Sequence, residues 1–154
     1  MESGGVDCAG IASPPMLSTI AVGTDGSDSA KQAVAEAIEL AKRYDAELVL
    51  ISAFQDSPAT PKDDPDERQW AYSTSAQLQE ILSRLENDLK AEGIACRTLF
   101  GEGDPAEVLV QLAEECKADA LVIGNKGMRR RVLGSVPNSV THKAPCSVFV
   151  VKTT

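Results

Sequence analysis

The 154-residue chain has 43% hydrophobic and 25% charged residues, an ordinary globular balance at a length that suits one domain with one substantial core. Its formal net charge of -8 and its 4% aromatic content argue against a general affinity for nucleic acid or anionic membranes. No apolar run is long enough to span a bilayer, and the N-terminal residues lack the basic and apolar character of a secretory signal.

Residues 1–15 are small and contain several Gly, Ser and Pro, which predicts a disordered tail in front of a domain comprising residues 16–154. Initiation at Met16 is an alternative. The cysteines form no CxxC pair and no cluster with zinc spacing, so we expect reduced thiols in a cytoplasmic protein. These cysteines are Cys8, Cys96, Cys116 and Cys146.

The first half of the domain predicts two buried strands, Ser18–Gly23 and Glu47–Ala53, joined by a helix of about four turns. Ser29 and Gln32 fit a capping box at the start of that helix. Three prolines and clustered acids in residues 55–67 predict a surface loop. The apolar face of the helix consists of Ala30, Val34, Ala37, Ile38 and Ala41.

A long amphipathic helix follows the loop, and Gly93 is expected at its C-terminal end. Its apolar stripe consists of Leu78, Ile81, Leu82, Leu85 and Leu89. Ile94–Phe100 is predicted as the third strand. Asp104 as N-cap and Pro105 in the first turn predict the start of a third helix. That helix is expected to bury Val108, Leu109, Leu112, Ala113 and Cys116.

Ala120–Gly124 is predicted as a fourth strand, followed by a glycine-punctuated loop and a short helix, and Ser147–Lys152 as a fifth strand. Strands without polar alternation are covered on both faces, as in a parallel sheet. Right-handed crossovers then predict an α/β fold with a doubly wound five-stranded parallel sheet in the order 3-2-1-4-5. Ligands bind such sheets where the order reverses, here between strands 1 and 4.

The loop after strand 4 contains GNKG (residues 124–127), six further residues, and then Gly134, Ser135 and Val136. A helix that begins at Gly134–Ser135 presents N–H groups and a positive dipole end to an anion, and Ser135 adds a hydroxyl donor. These features favour a di- or triphosphate. The alternative is an ordinary strand–helix connection with Ser135 as N-cap.

Two further groups stand near the same edge of the predicted sheet. Asp25 follows strand 1, where a carboxylate can accept hydrogen bonds from ribose; the alternative is an Asx turn. Lys126, Arg129, Arg130 and Arg131 are clustered in an otherwise acidic chain. We expect at least one of them to contact phosphate, although a solvated basic rim is the alternative for each one.

These motifs resemble the universal stress protein family over nearly all of residues 17–154. TIAVGTDGSDSA is similar to the family's first strand and Asp turn, and ALVIGNKG with GSVPNSVTHKAPCSVFVVK is similar to its C-terminal signature and last strand. The resemblance implies a fold like the adenine nucleotide alpha hydrolases, with bound ATP. The family's G-x2-G-x9-G-S/T pattern has a spacer of nine, whereas the present spacer has six residues, which changes the loop expected around the β- and γ-phosphates.

The resemblance implies that ribose lies at Asp25 and Gly124. It implies that adenine lies beside Gly23, Thr24 and the backbone of Ala53. The phosphates are implied to lie at Gly127 and at the start of the last helix. With the two basic candidates, the expected cofactor-binding residues are Gly23, Thr24, Asp25, Ala53, Gly124, Lys126, Gly127, Arg129, Gly134, Ser135 and Val136. We expect no catalytic or metal-binding residue, because the single histidine, His142, stands late in the last helix and no nucleophile motif occurs.

The leading hypothesis is a stress-response regulatory protein that binds ATP, with or without Mg²⁺, and for which enzyme activity is uncertain. One alternative is a member that binds cyclic AMP, because a shorter loop suits a smaller phosphate group. The others are a slow ATPase or self-phosphorylating enzyme and a nucleotide-free dimeric interaction module. The family implies homodimerisation, and the strand Ser147–Lys152 favours it as an apolar edge that a second copy can cover.

Overall fold

The computed structural model describes residues 6–7, 11–12, 17–55, 74–126 and 133–153. In these residues a five-stranded parallel sheet is covered by helices on both faces. The strands of the sheet are β1 (Thr19–Gly23), β2 (Glu47–Phe54), β3 (Cys96–Glu102), β4 (Ala120–Lys126) and β5 (Ser147–Thr153). The helices are α1 (Asp28–Tyr44), α2 (Ser75–Ala91), α3 (Pro105–Glu115) and α4 (Ser135–Lys143).

The strand order is β3-β2-β1-β4-β5 with every pair parallel, which confirms the predicted fold. β1 lies at the centre, where Val22 is in register with Leu50 of β2 and with Val122 of β4. Because consecutive side chains of a strand face opposite sides, Ala21 packs towards α3 and α4 while Val22 packs towards α1 and α2. Both faces of β1 are therefore buried, as its apolar sequence requires.

Outside this sheet, Val6–Asp7 and Ile11–Ala12 pair as a short antiparallel ladder. The ladder lies within the segment for which the sequence predicts a disordered tail, and the domain boundary at residue 16 stays a prediction. Among the helices of the described residues, none is long and apolar enough to cross a bilayer.

Two helix starts show where sequence signals are decisive. Asp104 accepts the Glu107 N–H at 3.2 Å and Pro105 opens α3, as predicted. For α1 the prediction of Ser29 as the capping residue is wrong. Ser27 is the N-cap, and its hydroxyl accepts the Ala30 N–H at 3.2 Å. The turn that follows β1 holds Ser27 in an extended conformation, and α1 starts at Asp28.

The strands also differ in extent from the prediction. β4 continues two residues beyond the predicted end at Gly124, because Asn125 and Lys126 stay in register with Lys152 and Thr153 of β5. β3 begins at Cys96, two residues later than predicted, and extends to Glu102 beside β2. The longer β4 matters for the site, since Asn125 and Lys126 belong to the sheet and the connection to α4 begins after Lys126.

Candidate functional site

The turns after β1 and β4 emerge side by side, because these strands are parallel neighbours. The chain then runs into α1 on one face of the sheet and towards α4 on the other. In open α/β sheets a ligand crevice is expected at the carboxyl edge between two such diverging connections, where the strand order reverses. The described parts of the two motifs, Thr24–Asp25 and Gly124–Asn125, therefore lie at one edge of the sheet.

The turn after β1 is fixed by its own side chains. Thr24 is 1% exposed, its N–H donates to the Ile51 carbonyl at 3.0 Å, and its carbonyl accepts a hydrogen bond from the Ser52 hydroxyl. The hydroxyl of Thr24 accepts the Gly26 N–H at 3.1 Å. Asp25 is 9% exposed, and its Oδ1 accepts the N–H of Ser27 at 2.9 Å. The carboxylate thus makes the Asx turn that was the alternative to ribose binding, and a contact between Asp25 and ribose stays a prediction.

Gly26 completes this turn in a conformation that other residues adopt rarely, with φ +82°. A Cβ atom at Gly26 would lie 2.8 Å from Cγ2 of Ile81, so α2 packs directly on the turn. Between α1 and α2 lies a cavity of about 480 Å³ that is lined on its apolar side by Val34, Ile38 and Ile81. Ile81 belongs to the predicted apolar stripe of α2, and it is 39% exposed because it borders this cavity.

Ala53 lies in β2, two residues beyond Ile51, and it is 1% exposed. Backbone groups of alternate residues in a strand face the same neighbour. Since the Ile51 carbonyl faces β1 and accepts the Thr24 N–H, the backbone of Ala53 faces the space beyond the end of β1. The backbone contact with adenine that the resemblance implies for Ala53 stays a prediction.

Gly124 lies within β4 and is tightly surrounded. A Cβ atom there would meet Thr153 Cγ2 at 3.2 Å and Ala33 Cβ at 3.6 Å, so the missing side chain allows β4, β5 and α1 to pack closely. Only the backbone of Gly124 is available for a ligand. Lys126 ends β4, and Gly127 and Arg129 lie outside the described residues.

The start of α4 is attached to the end of β4 by Asn125. Asn125 is 1% exposed, and its Oδ1 accepts the Gly134 N–H at 2.9 Å. Gly134 is the N-cap and Ser135 is the first helical residue, so the alternative of Ser135 as N-cap is wrong. Val136 and Val140 are 2% and 0% exposed, and they anchor α4 in the core. Sequence reasoning gave Asn125 no role of its own, although a short amide directly after a buried strand was a usable signal.

The geometry at the start of α4 suits an anion. The first N–H groups of a helix have no carbonyl partner within the helix, and the dipole places positive potential there. Gly134, the N-cap residue, has no side chain that could cap α4. The Ser135 hydroxyl is buried and has no hydrogen-bond partner among the described residues. A phosphate oxygen is an acceptor that satisfies such donors.

Other chemistry has little support in the described residues. Burial raises the pKa of the Cys96, Cys116 and Cys146 thiols, so none of these three provides a thiolate at neutral pH. In the same residues, no three His, Cys, Asp or Glu side chains are grouped as a metal ion requires.

Comparisons with known proteins show which proteins this chain is similar to. The sequence model of the universal stress protein family matches residues 16–152. A universal stress protein of Mycobacterium tuberculosis is 38% identical over 144 residues, which cover 88% of this chain and 97% of the relative.

Two solved structures extend the comparison to proteins with bound ligands. A universal stress protein in complex with cAMP is 33% identical with a TM-score of 0.69, over 91% of this chain and 100% of that one. A universal stress protein family member of Arabidopsis thaliana with AMP bound is 25% identical with a TM-score of 0.66, over 89% of this chain and 92% of that one.

Proposed function

The chain belongs to the universal stress protein family, as its strand and loop motifs predicted, and on that premise we propose that it binds an adenine nucleotide. ATP is the first candidate, and the protein serves as a nucleotide-dependent regulator in a stress response. The observation that carries the proposal is the start of α4, where the buried hydroxyl of Ser135 lacks a partner in the described residues and lies at the positive end of the helix. A phosphate oxygen at this place would accept a hydrogen bond from that hydroxyl.

The rest of the nucleotide fits the same edge of the sheet. Asp25, in the turn after β1, accepts hydrogen bonds from the ribose hydroxyls. The adenine ring lies beside Gly23 and Thr24, and backbone groups of Ala53 form hydrogen bonds with the polar edge of the ring. This arrangement places the sugar at the centre of the crevice, with the base towards β2 and the phosphates towards α4.

The β- and γ-phosphates depend on the connection between β4 and α4. Lys126 begins this connection, and we propose that it contributes positive charge together with Arg129 and backbone N–H groups around Gly127. With Val136 these residues complete the phosphate site. Since the connection is three residues shorter than the family pattern, ATP and a smaller ligand need to be compared directly.

Cyclic AMP is the second candidate. The shorter loop favours a single phosphate, and a relative that is 33% identical was solved in complex with cAMP. The AMP in the Arabidopsis thaliana protein is also a monophosphate. If the protein binds cAMP more tightly than ATP, the shortened loop accounts for that preference.

Titration calorimetry with ATP, ATP plus Mg²⁺, AMP, cAMP and GTP tests the proposal. Ser135→Ala removes the hydroxyl from the start of α4, and we expect ATP affinity to fall by about tenfold or more. Ser147→Ala is the matched control, because Ser147 is exposed at the amino end of β5, on the opposite edge of the sheet. Absence of binding for all three adenine nucleotides, or equal affinities for the two serine variants, contradicts the proposed site.

We also propose that two copies pair through β5. Within the described residues β5 is an edge strand that pairs only with β4, and Phe149 on it is 44% exposed. Val148 and Val150 are half-buried beside it. A second copy covers this apolar edge, which otherwise invites uncontrolled strand pairing. The described cysteines are free thiols, which supports a reducing compartment such as the cytoplasm.

A further inference from the structure

Three buried side-chain atoms have no hydrogen-bond partner within the described part of the chain: Asn125 Nδ2, Ser135 Oγ and Thr153 Oγ1. A buried donor without a partner destabilises the fold, so each such atom needs a physical explanation. Thr153 lies towards α1, since its side chain flanks the missing Cβ of Gly124 together with Ala33. Asn125 and Ser135 are the two that lie at the start of α4.

The orientation of the Asn125 amide follows from its one hydrogen bond. Its oxygen accepts the Gly134 N–H at 2.9 Å. A flipped amide would set an NH₂ group against that N–H, and two donors would face each other. The NH₂ group of Asn125 is therefore held beside the N-cap of α4, in a side chain that is 1% exposed.

The donors at this place share one requirement. The amide of Asn125 and the hydroxyl of Ser135 both need an acceptor, and the positive end of the helix favours a negative one. A phosphate has acceptor oxygens and no obligatory donor, whereas a ribose hydroxyl or an adenine edge also brings donors. The chemistry of the site therefore selects a phosphate oxygen.

We infer that Asn125 is a phosphate-binding residue, whose Nδ2 donates to the nucleotide while its Oδ1 holds Gly134 in place. This inference rests on the proposed function and adds to it a specific contact. Asn125 thereby links the end of β4, the start of α4 and the ligand, so that the same side chain positions the helix and senses the phosphate. Adenosine lacks the acceptor and leaves the amide without its partner.

Nuclear magnetic resonance of the unmodified protein tests the contact without risk to the fold. The chain has three asparagines, and the exposed Asn87 and Asn138 provide internal controls in a sample labelled at asparagine side chains. We expect AMP to shift the Asn125 NH₂ signal strongly downfield and adenosine to shift it little. The control amides should move with neither ligand. The Asn125 signal is identified by its absence in Asn125→Ser.

The possible outcomes distinguish a failure of the Asn125 contact from a failure of the proposed nucleotide binding. If AMP saturates the protein and moves the Ser135 backbone signal but leaves the Asn125 NH₂ unmoved, the inference is wrong and nucleotide binding stands. If AMP, ATP and cAMP move no signal, both are wrong.

A pair of variants gives an independent readout. Asn125→Asp keeps an acceptor for Gly134 and replaces the donor with a carboxylate oxygen, and we expect AMP affinity to fall about tenfold or more with adenosine affinity nearly unchanged. Asn138→Asp adds the same charge to an exposed position in the first turn of α4 and should change AMP affinity by less than about threefold. Equal effects of the two variants overturn the inference.

Discussion

Gly26→Ala is the substitution whose cost the structure defines most closely. Gly26 has φ +82°, and the added Cβ would lie 2.8 Å from Cγ2 and 3.1 Å from Cδ1 of Ile81, where ordinary contacts begin at 3.4 Å. Gly93 is a matched control, because it has φ +84° and nothing lies within 4 Å of its added Cβ. Both substitutions carry the free-energy cost of an alanine at positive φ, but only Gly26→Ala also brings a steric clash with Ile81.

The magnitudes follow from these two contributions. An alanine in the left-handed region costs about 1–2 kcal/mol, of which up to about 1 kcal/mol is offset by the smaller entropy of the unfolded chain. Gly93→Ala should therefore lower the free energy of unfolding by about 1 kcal/mol. The side chain of Ile81 is stiff because β-branched residues favour one rotamer in a helix, so overpacking adds about 1–3 kcal/mol to Gly26→Ala.

Urea unfolding at 25 °C measures the difference. We expect Gly26→Ala to lose about 2–4 kcal/mol, and thermal unfolding to show a decrease in Tm of about 2–4 °C for each kcal/mol in a chain of this size. The double variant Gly26→Ala/Ile81→Ala removes both close methyl groups and should recover the steric part. Nucleotide affinity should fall in Gly26→Ala but not in Gly93→Ala, since only the first displaces the turn that carries Asp25.

Equal losses for the two glycine variants would refute this reasoning. The same conclusion follows if Ile81→Ala fails to compensate for Gly26→Ala, because contacting residues should show a coupling of about 1 kcal/mol or more. In either case α2 does not press on the turn after β1.

Three further predictions concern the edge strand, the core and one ion pair. Phe149→Glu places a charge on the exposed edge of β5 and should convert dimers into monomers in sedimentation velocity; a dimer that persists contradicts pairing through this strand. Val140→Ala, at a position with 0% exposure, should destabilise α4 and the protein by about 1–3 kcal/mol in urea unfolding, whereas a loss below about 0.5 kcal/mol would mean that α4 is not anchored there. Lys90 and Thr98 lower the pKa of Glu86, so this carboxylate stabilises the fold above the ordinary glutamate value of 4.5, and the stabilisation is lost as the pH falls through the lowered value. Thr98→Val removes the 2.8 Å hydrogen bond and should cost about 1 kcal/mol at pH 7 and less at pH 3, and an equal cost at both pH values contradicts that origin.

The sheet was predictable because its information is local. Each buried strand is a short apolar run, and Asp104 with Pro105 marks a helix start within two residues of sequence. Right-handed crossovers then left few topologies, and the strand order chosen among them is the one observed. No long-range detail was needed for these steps.

The failures fall where partners far apart in the chain decide the outcome. The true N-cap of α1, Ser27, depends on a turn whose neighbours include Ile51 and Ser52 of β2. The extra length of β4 depends on β5, and the role of Asn125 appears only when Gly134 is brought to it by the return of the chain. Sequence spacing placed these residues in motifs but did not show which atoms meet.

A crystal structure of the protein with AMP tests the central claim most directly. The account predicts a phosphate group within hydrogen-bond distance of the Ser135 hydroxyl at the start of α4, with the ribose at Asp25. A nucleotide bound in the cavity between α1 and α2, with the Ser135 hydroxyl still lacking an acceptor, would contradict it.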